Sequence, residues 1–143
     1  MIRKLVNKIE YKVVNANFSK KLKEIKSLKR KIRVLFYVSE NQKWAYQSLY
    51  EELEKDARFE PLVVVSLLTS VHKGYDKTRD NLEENLSFFK SRNINVEYGY
   101  KNGNYIDLKC FKPDIVFYEQ SWDLPKINSP YNVSKYALTC HCP

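Results

Sequence analysis

Apolar residues fall into two alternating patterns along most of this chain. Ile32-Arg33-Val34-Leu35-Phe36-Tyr37-Val38 is a short, nearly continuous apolar run rich in β-branched and aromatic residues, as a strand buried on both faces requires. Pro61-Leu62-Val63-Val64-Val65-Ser66-Leu67-Leu68 repeats that signature. Shorter runs predict further strands over 94–96, 114–118 and 136–140. Between the first two strands, Tyr46, Leu49, Tyr50, Leu53 and Ala57 recur at helical spacing and share one face. A second helix is predicted over 78–92, with Leu82, Leu86 and Phe89 inside and Asp80, Glu83, Glu84 and Lys90 outside, and a helical turn over 105–111. Strands alternating with helices at this spacing imply right-handed crossovers and a parallel sheet, hence a Rossmann-like α/β domain over residues 32–143. The last predicted strand runs into His141-Cys142-Pro143 with no helix after it to cover the sheet. The domain is therefore expected to be truncated at its C-terminus.

Residues 1–31 behave differently. Phe18, Leu22, Ile25 and Leu28 recur at helical spacing among lysines, and Leu5 and Ile9 begin a similar stripe earlier. Asn15, Asn17 and Ser19 interrupt it, so a basic amphipathic helical arm is expected as two short helices or one broken one. This segment holds 11 Lys or Arg against Glu10 and Glu24, whereas the rest of the chain carries 14 basic and 15 acidic residues. The formal charge of +8 thus belongs to the arm. Such an arm suits the anionic inner leaflet of a membrane and equally suits docking on the back of its own domain. Nucleic acid is not an expected partner, because the domain itself is slightly acidic and offers no basic groove. The first ten residues mix Arg3, Lys4, Lys8 and Glu10 into the apolar positions, which is unlike a signal peptide. No run approaches the ~20 apolar residues of a membrane span. Three cysteines, Cys110, Cys140 and Cys142, read as free thiols of a reducing compartment. A cytoplasmic protein is expected, peripheral on the inner face of the membrane if the arm binds lipid.

In open parallel sheets, ligands bind where the loops leave the carboxyl ends of the strands. Those ends supply Ser39, Glu40, Asn41 and Lys43 after the first strand, His72 and Lys73 after the second, Glu119 and Gln120 after the fourth, and His141 after the last. Ser39, Glu40, Asn41, His72, Lys73, Glu119 and Gln120 are the candidate substrate-binding residues. His141 is the candidate catalytic residue, since an imidazole titrating near ~6.5 takes a proton from a hydroxyl at neutral pH. Gly74, Gly99 and Gly103 are the only glycines and none follows the first strand, so no dinucleotide or Walker loop exists and no cofactor is expected. A phosphate could still rest on the helix start near Asn41 to Lys43. Cys140-His141-Cys142 is not expected to bind metal, because neighbours in an extended strand point to opposite faces.

Two segments carry a family resemblance: Lys112-Pro113-Asp114-Ile115-Val116-Phe117-Tyr118-Glu119-Gln120 and Ser134-Lys135-Tyr136-Ala137-Leu138-Thr139-Cys140-His141-Cys142-Pro143. Together they resemble the amino-terminal Rossmann half of CDP-glycerol glycerophosphotransferases, two-domain enzymes of GT-B type in teichoic acid and related surface-polymer synthesis. Members of that family present a K-Y-x-x-T-x-H-G-T-P-like stretch whose histidine is thought to act as the base on the acceptor hydroxyl. Lys135, Tyr136, Thr139, His141 and Pro143 match it; Cys142 stands at the glycine, and one residue before the proline is lacking. The resemblance implies transfer of glycerol phosphate from CDP-glycerol to a lipid-linked or polymer acceptor at the membrane face. It also implies that a missing carboxyl-terminal domain holds CDP-glycerol and that the present chain alone is inactive. Two other readings stay open: another GT-B glycosyltransferase using a nucleotide sugar, and a stand-alone flavodoxin-like binding module. A response regulator is disfavoured, since Ser39-Glu40-Asn41 lacks the acidic pair expected after the first strand.

Overall fold

A computed structural model describes residues 2–141, with side chains from Val6 onward. Five parallel strands form the central sheet, in the order β3-β2-β1-β6-β7. They are β1 Ile32–Val38, β2 Phe59–Val65, β3 Val96–Tyr98, β6 Ile115–Tyr118 and β7 Leu138–His141; β4 Tyr100–Lys101 and β5 Asn104–Tyr105 form a separate antiparallel hairpin. The helices are α1 Ile2–Lys26, α2 Gln47–Lys55, α3 Thr69–His72, α4 Leu82–Lys90 and α5 Pro130–Val133. The expected α/β class and parallel sheet are therefore present, in a Rossmann-like arrangement.

Both faces of the sheet are covered, which is why its central strands read as apolar runs over 34–38 and 61–65. On one face Val34, Phe36, Val38, Val63 and Val65 pack against Tyr46, Tyr50, Leu86 and Phe89 from α2, α4 and their approaches. On the other face Leu35, Tyr37, Val64, Val116 and Tyr118 pack against Leu108, Val133 and Ala137. Strand order reverses at β1, with β2 on one side and β6 on the other. Right-handed crossovers then require helices on opposite faces for the two directions. Asn128 anchors the second face from within: its Oδ1 accepts from Leu108 N at 3.0 Å, its Nδ2 donates to Ile106 O at 2.9 Å, and its carbonyl accepts from the Tyr118 hydroxyl at 2.9 Å. A fully buried amide is tolerated there because every bond it could lose to water is replaced.

Several boundaries differ from expectation. The second strand ends at Val65, so Ser66, Leu67 and Leu68 lead into α3 instead of extending the sheet. The strand expected over 94–96 begins at Val96, because Asn93 adopts a left-handed φ of 55° and Ile94 N donates to Phe89 O, closing α4 first. Beyond β3 the chain leaves the sheet at Gly99, where an added Cβ would lie 2.8 Å from Val64 Cγ1.

The arm differs most. It is one continuous helix, not two short ones or a broken one. Asn17, read as an interruption, instead donates from Nδ2 to Ser134 Oγ at 3.3 Å. Its apolar residues are not gathered on one face: Ile25 is buried against the domain, while Val6, Ile9, Tyr11, Phe18 and Leu22 stay exposed. α1 runs beside α5 and β7. No helix among the described residues is long and apolar enough to cross a membrane.

Candidate functional site

The sequence-predicted residues divide among three places. Ser39, Glu40, Asn41, Glu119 and Gln120 are brought together where β1 and β6 diverge. Glu119 Oε1 accepts from the backbone N–H groups of Ser39 and Glu40 at 2.8 and 3.0 Å, so the loop after β6 grips the loop after β1. Lys43 Nζ donates to Gln120 Oε1 at 2.9 Å and pairs with Glu40. Arg79 Nε donates to the other oxygen of Glu40 at 2.7 Å. The Arg79 hydrogen bond, with help from Lys43, holds the Glu40 carboxyl below its ordinary range against the opposing effect of burial.

Glu119 is the outlier of this network. Burial pushes its carboxyl up to about 7, although the two backbone donors and Lys43 favour the charged form. Its second oxygen, Oε2, is buried and has no hydrogen-bond partner. Desolvation wins because only one of two carboxylate oxygens is solvated by protein dipoles.

Asn85 completes the clamp from α4, donating to Ser39 O and accepting from Asn41 N, both at 2.8 Å. Sequence reasoning missed Asn85 and Arg79. Asn85 had one visible signal, a polar residue on the apolar stripe of Leu82, Leu86 and Phe89; Arg79 had none. These contacts leave the switch-point residues bonded to one another, so they form a rigid rim more than an open cup.

His72 and Lys73 are elsewhere. His72 Nδ1 lies 2.9 Å from the Tyr100 hydroxyl, and its ring packs on Tyr100 and Tyr105 of the hairpin. Lys73 caps α3 through its backbone. The start of α3 is tied to the loop after β6 by Asp123, which accepts from Ser70 N at 2.8 Å, from Ser70 Oγ at 2.5 Å and from the Thr69 hydroxyl. Burial works against the Asp123 carboxylate, yet these donors outweigh it and keep its pKa below the usual value.

His141 forms the third place. It ends β7 opposite Tyr118 of β6, and the two rings stack with centroids 5.2 Å apart and planes 20° apart. Partial burial lowers the imidazole pKa, because desolvation disfavours the charged ring. It opens on a groove of about 800 Å³ between α1 and α5, with Thr139 beside it on the same face of the strand. No side-chain hydrogen bond among the described residues joins His141 to His72 or to the Glu119 network.

No cluster of three metal-ligating side chains exists among the described residues. Cys142 and Pro143, the end of the resemblance motif, lie outside them. Within the motif, Lys135 Nζ donates to Asn132 Oδ1 at 2.9 Å. No family model, curated protein or solved structure matches this chain.

Proposed function

We propose that this chain is the acceptor-side, GT-B-type half of a glycerophosphotransferase that moves glycerol phosphate from CDP-glycerol to a hydroxyl of a membrane-linked polymer or lipid acceptor. The observation that carries this reading is His141: an imidazole at the carboxyl end of a parallel strand, facing a groove large enough for part of an acceptor. The imidazole takes the proton of the acceptor hydroxyl as that oxygen attacks the phosphorus bearing glycerol. The bond from that phosphorus to the CMP oxygen breaks, and CMP leaves. Stacking on Tyr118 fixes the ring plane, so positioning is set before the acceptor arrives. CDP-glycerol itself would be held by a further domain, as the resemblance implies.

The test is transfer of labelled glycerol phosphate by the full-length gene product with native membranes. His141→Ala should lower kcat by roughly 10²-fold or more, as expected for loss of a general base. Equal turnover of wild type and variant, or transfer from UDP-sugars but not from CDP-glycerol, would refute the assignment.

The arm supports peripheral membrane contact within the same proposal. Val6, Ile9, Tyr11, Phe18 and Leu22 are exposed among the lysines of α1. Each basic residue near an anionic leaflet contributes about 1 kcal/mol. Reversing Lys8, Lys12 and Lys23 to Glu should therefore weaken binding to phosphatidylglycerol vesicles by at least ~100-fold in flotation. Unchanged recovery would show that α1 serves the domain only.

A further inference from the structure

Positive charge gathers at the amino-terminal edge of the sheet, opposite the edge that carries His141. There the last turns of α1 meet the 3₁₀ turn Leu108–Phe111 and the segments that lead into β6 and β7, around a pocket of about 440 Å³. Lys21 and Arg30 line it from the arm, Lys109 and Lys112 from the domain. Both carboxylates in the lining are engaged. Glu24 accepts from Lys21 at 2.6 Å. Asp114 accepts from Arg30 Nη1 and Nη2 at 2.7 and 2.8 Å and from the Arg33 N–H at 2.8 Å. The ammonium groups of Lys109 and Lys112 have no hydrogen bond or ion pair to a described residue. Two cations are therefore left uncompensated on one wall.

From this we infer that the pocket binds the phosphate group of a small soluble ligand, held by Lys109 and Lys112 against the end of α1. The inference is independent of the transferase reading and gives the chain a second site, away from His141.

The local fold presents the two lysines together. They stand three residues apart across the 3₁₀ turn, a spacing that puts side chains on one side. The Lys112 N–H donates to Lys109 O, and Lys112 adopts a left-handed φ of 51° that glycine or asparagine would accept with less strain. Tyr136 also lines the pocket, and its hydroxyl is buried without a partner. Burial raises its pKa, so it remains a donor, and an unpaired buried donor is costly.

The end of a helix would ordinarily repel an anion, because its last carbonyls point outward. Here Glu24 O accepts from Ser27 N and Oγ, and Ile25 O accepts from Leu28 N. An adjoining cavity shares Ile25, Leu28 and Arg30 and adds Lys26, Lys29, Lys31 and Arg58, with no carboxylate in its described lining. The surrounding field thus draws anions toward the pocket.

Phosphate fits better than a carboxylate. A carboxylate offers two oxygens in one plane, whereas donors here converge from α1, the 3₁₀ turn and the approach to β7, as a tetrahedral group requires. A soluble ligand fits better than a lipid headgroup. Val6, Ile9, Tyr11, Phe18 and Leu22, the exposed apolar residues of α1, all lie outside the pocket. The volume lies within the range of small-ligand sites, roughly 300–1,000 Å³. Since one wall is the arm and the other the domain, a bound phosphate ties α1 to its seat.

The experiment is an amide-resolved NMR titration of the isotopically labelled 143-residue chain. Four probes are compared at constant ionic strength: inorganic phosphate, ribose 5-phosphate, acetate, and dihexanoyl phosphatidic acid below its aggregation concentration. Inorganic phosphate and ribose 5-phosphate should shift the Ile25, Lys109 and Lys112 amides saturably, with affinity of about 1 mM or tighter. Acetate should not saturate these shifts.

Joint replacement Lys109→Gln and Lys112→Gln should weaken phosphate binding about tenfold or more, the loss expected for charge-assisted hydrogen bonds. Both side chains are exposed, so amides elsewhere should keep their positions. Joint replacement Lys77→Gln and Lys101→Gln removes the same charge from exposed positions outside the pocket and should leave affinity within about twofold. Equal weakening by the two double variants would reduce the effect to net charge and overturn the inference. Saturation by acetate at the same concentration, no saturable shift with either phosphate, or tighter binding of the phosphatidic acid than of ribose 5-phosphate would overturn it as well.

Discussion

Phe36→Ala should lower unfolding free energy by about 3–5 kcal/mol, the range for truncating a buried aromatic side chain. Phe36 is fully buried at the centre of β1. It stacks on Phe117 of β6 at 5.2 Å and meets Tyr46, Trp44 and Tyr50 at 5.4, 5.5 and 6.0 Å. The side chain therefore joins the two arms of the sheet to the covering layer of α2, and collapse around the void would have to move a strand. With a urea m-value of ~2 kcal/mol/M, the unfolding midpoint should fall by roughly 2 M. Phe36→Leu, which keeps most of the volume, should cost less than half as much. A loss below about 1 kcal/mol for the alanine variant would mean that this aromatic cluster is not the organising core.

That core was legible because its code is local. β1 and β2 are apolar without interruption over 34–38 and 61–65, where both faces of each are covered, and α2 and α4 carry their buried stripes at regular spacing. What escaped reading depends on long-range partners or on very short elements. β4 and β5 have two residues each, too few to show alternation. Their turn was nevertheless announced by Asn102-Gly103, both with positive φ, the pair that two-residue hairpins favour. α5 has four residues, and its visible marks are Ser129 as N-cap and Pro130 behind it.

The site divides in the same way. Ser39, Glu40, Glu119 and Gln120 could be placed together from topology alone, because strand ends converge at the point where strand order reverses. Their mutual hydrogen bonds could not, since Glu119 and Ser39 stand 80 residues apart. His72 was assigned to the same edge by its position after β2. A short helix turns it toward the Tyr100–Tyr105 hairpin instead, and nothing in the local sequence specifies that turn. Asn15 and Asn17 misled for the opposite reason. Asn17 donates to Ser134 across the chain, so a tertiary role resembled a local break, and Asn15 stays exposed on the same unbroken helix.

Glu119 makes a prediction of comparable size, with a sign that depends on pH. Its carboxyl titrates near about 7 in the folded protein against an ordinary 4.5, because burial penalises the charge. A raised carboxyl pKa means the folded state binds a proton that the unfolded chain has released. The stabilisation is then present in full below about pH 4.5 and is lost as pH rises through 7. At ~1.4 kcal/mol for each pH unit between the two values, roughly 3 kcal/mol disappears across that window. Lys43 and Glu40 face the group with opposite effects, so neither alone sets the midpoint. Glu119→Gln keeps an acceptor for the Ser39 and Glu40 N–H groups but cannot ionise. Urea unfolding of both proteins at intervals from pH 4.5 to 8 isolates the difference. The two should be close at pH 4.5, and the glutamine variant should be the more stable by roughly 3 kcal/mol at pH 8. Parallel pH profiles would mean that water reaches Glu119 Oε2 and that the carboxylate is charged throughout.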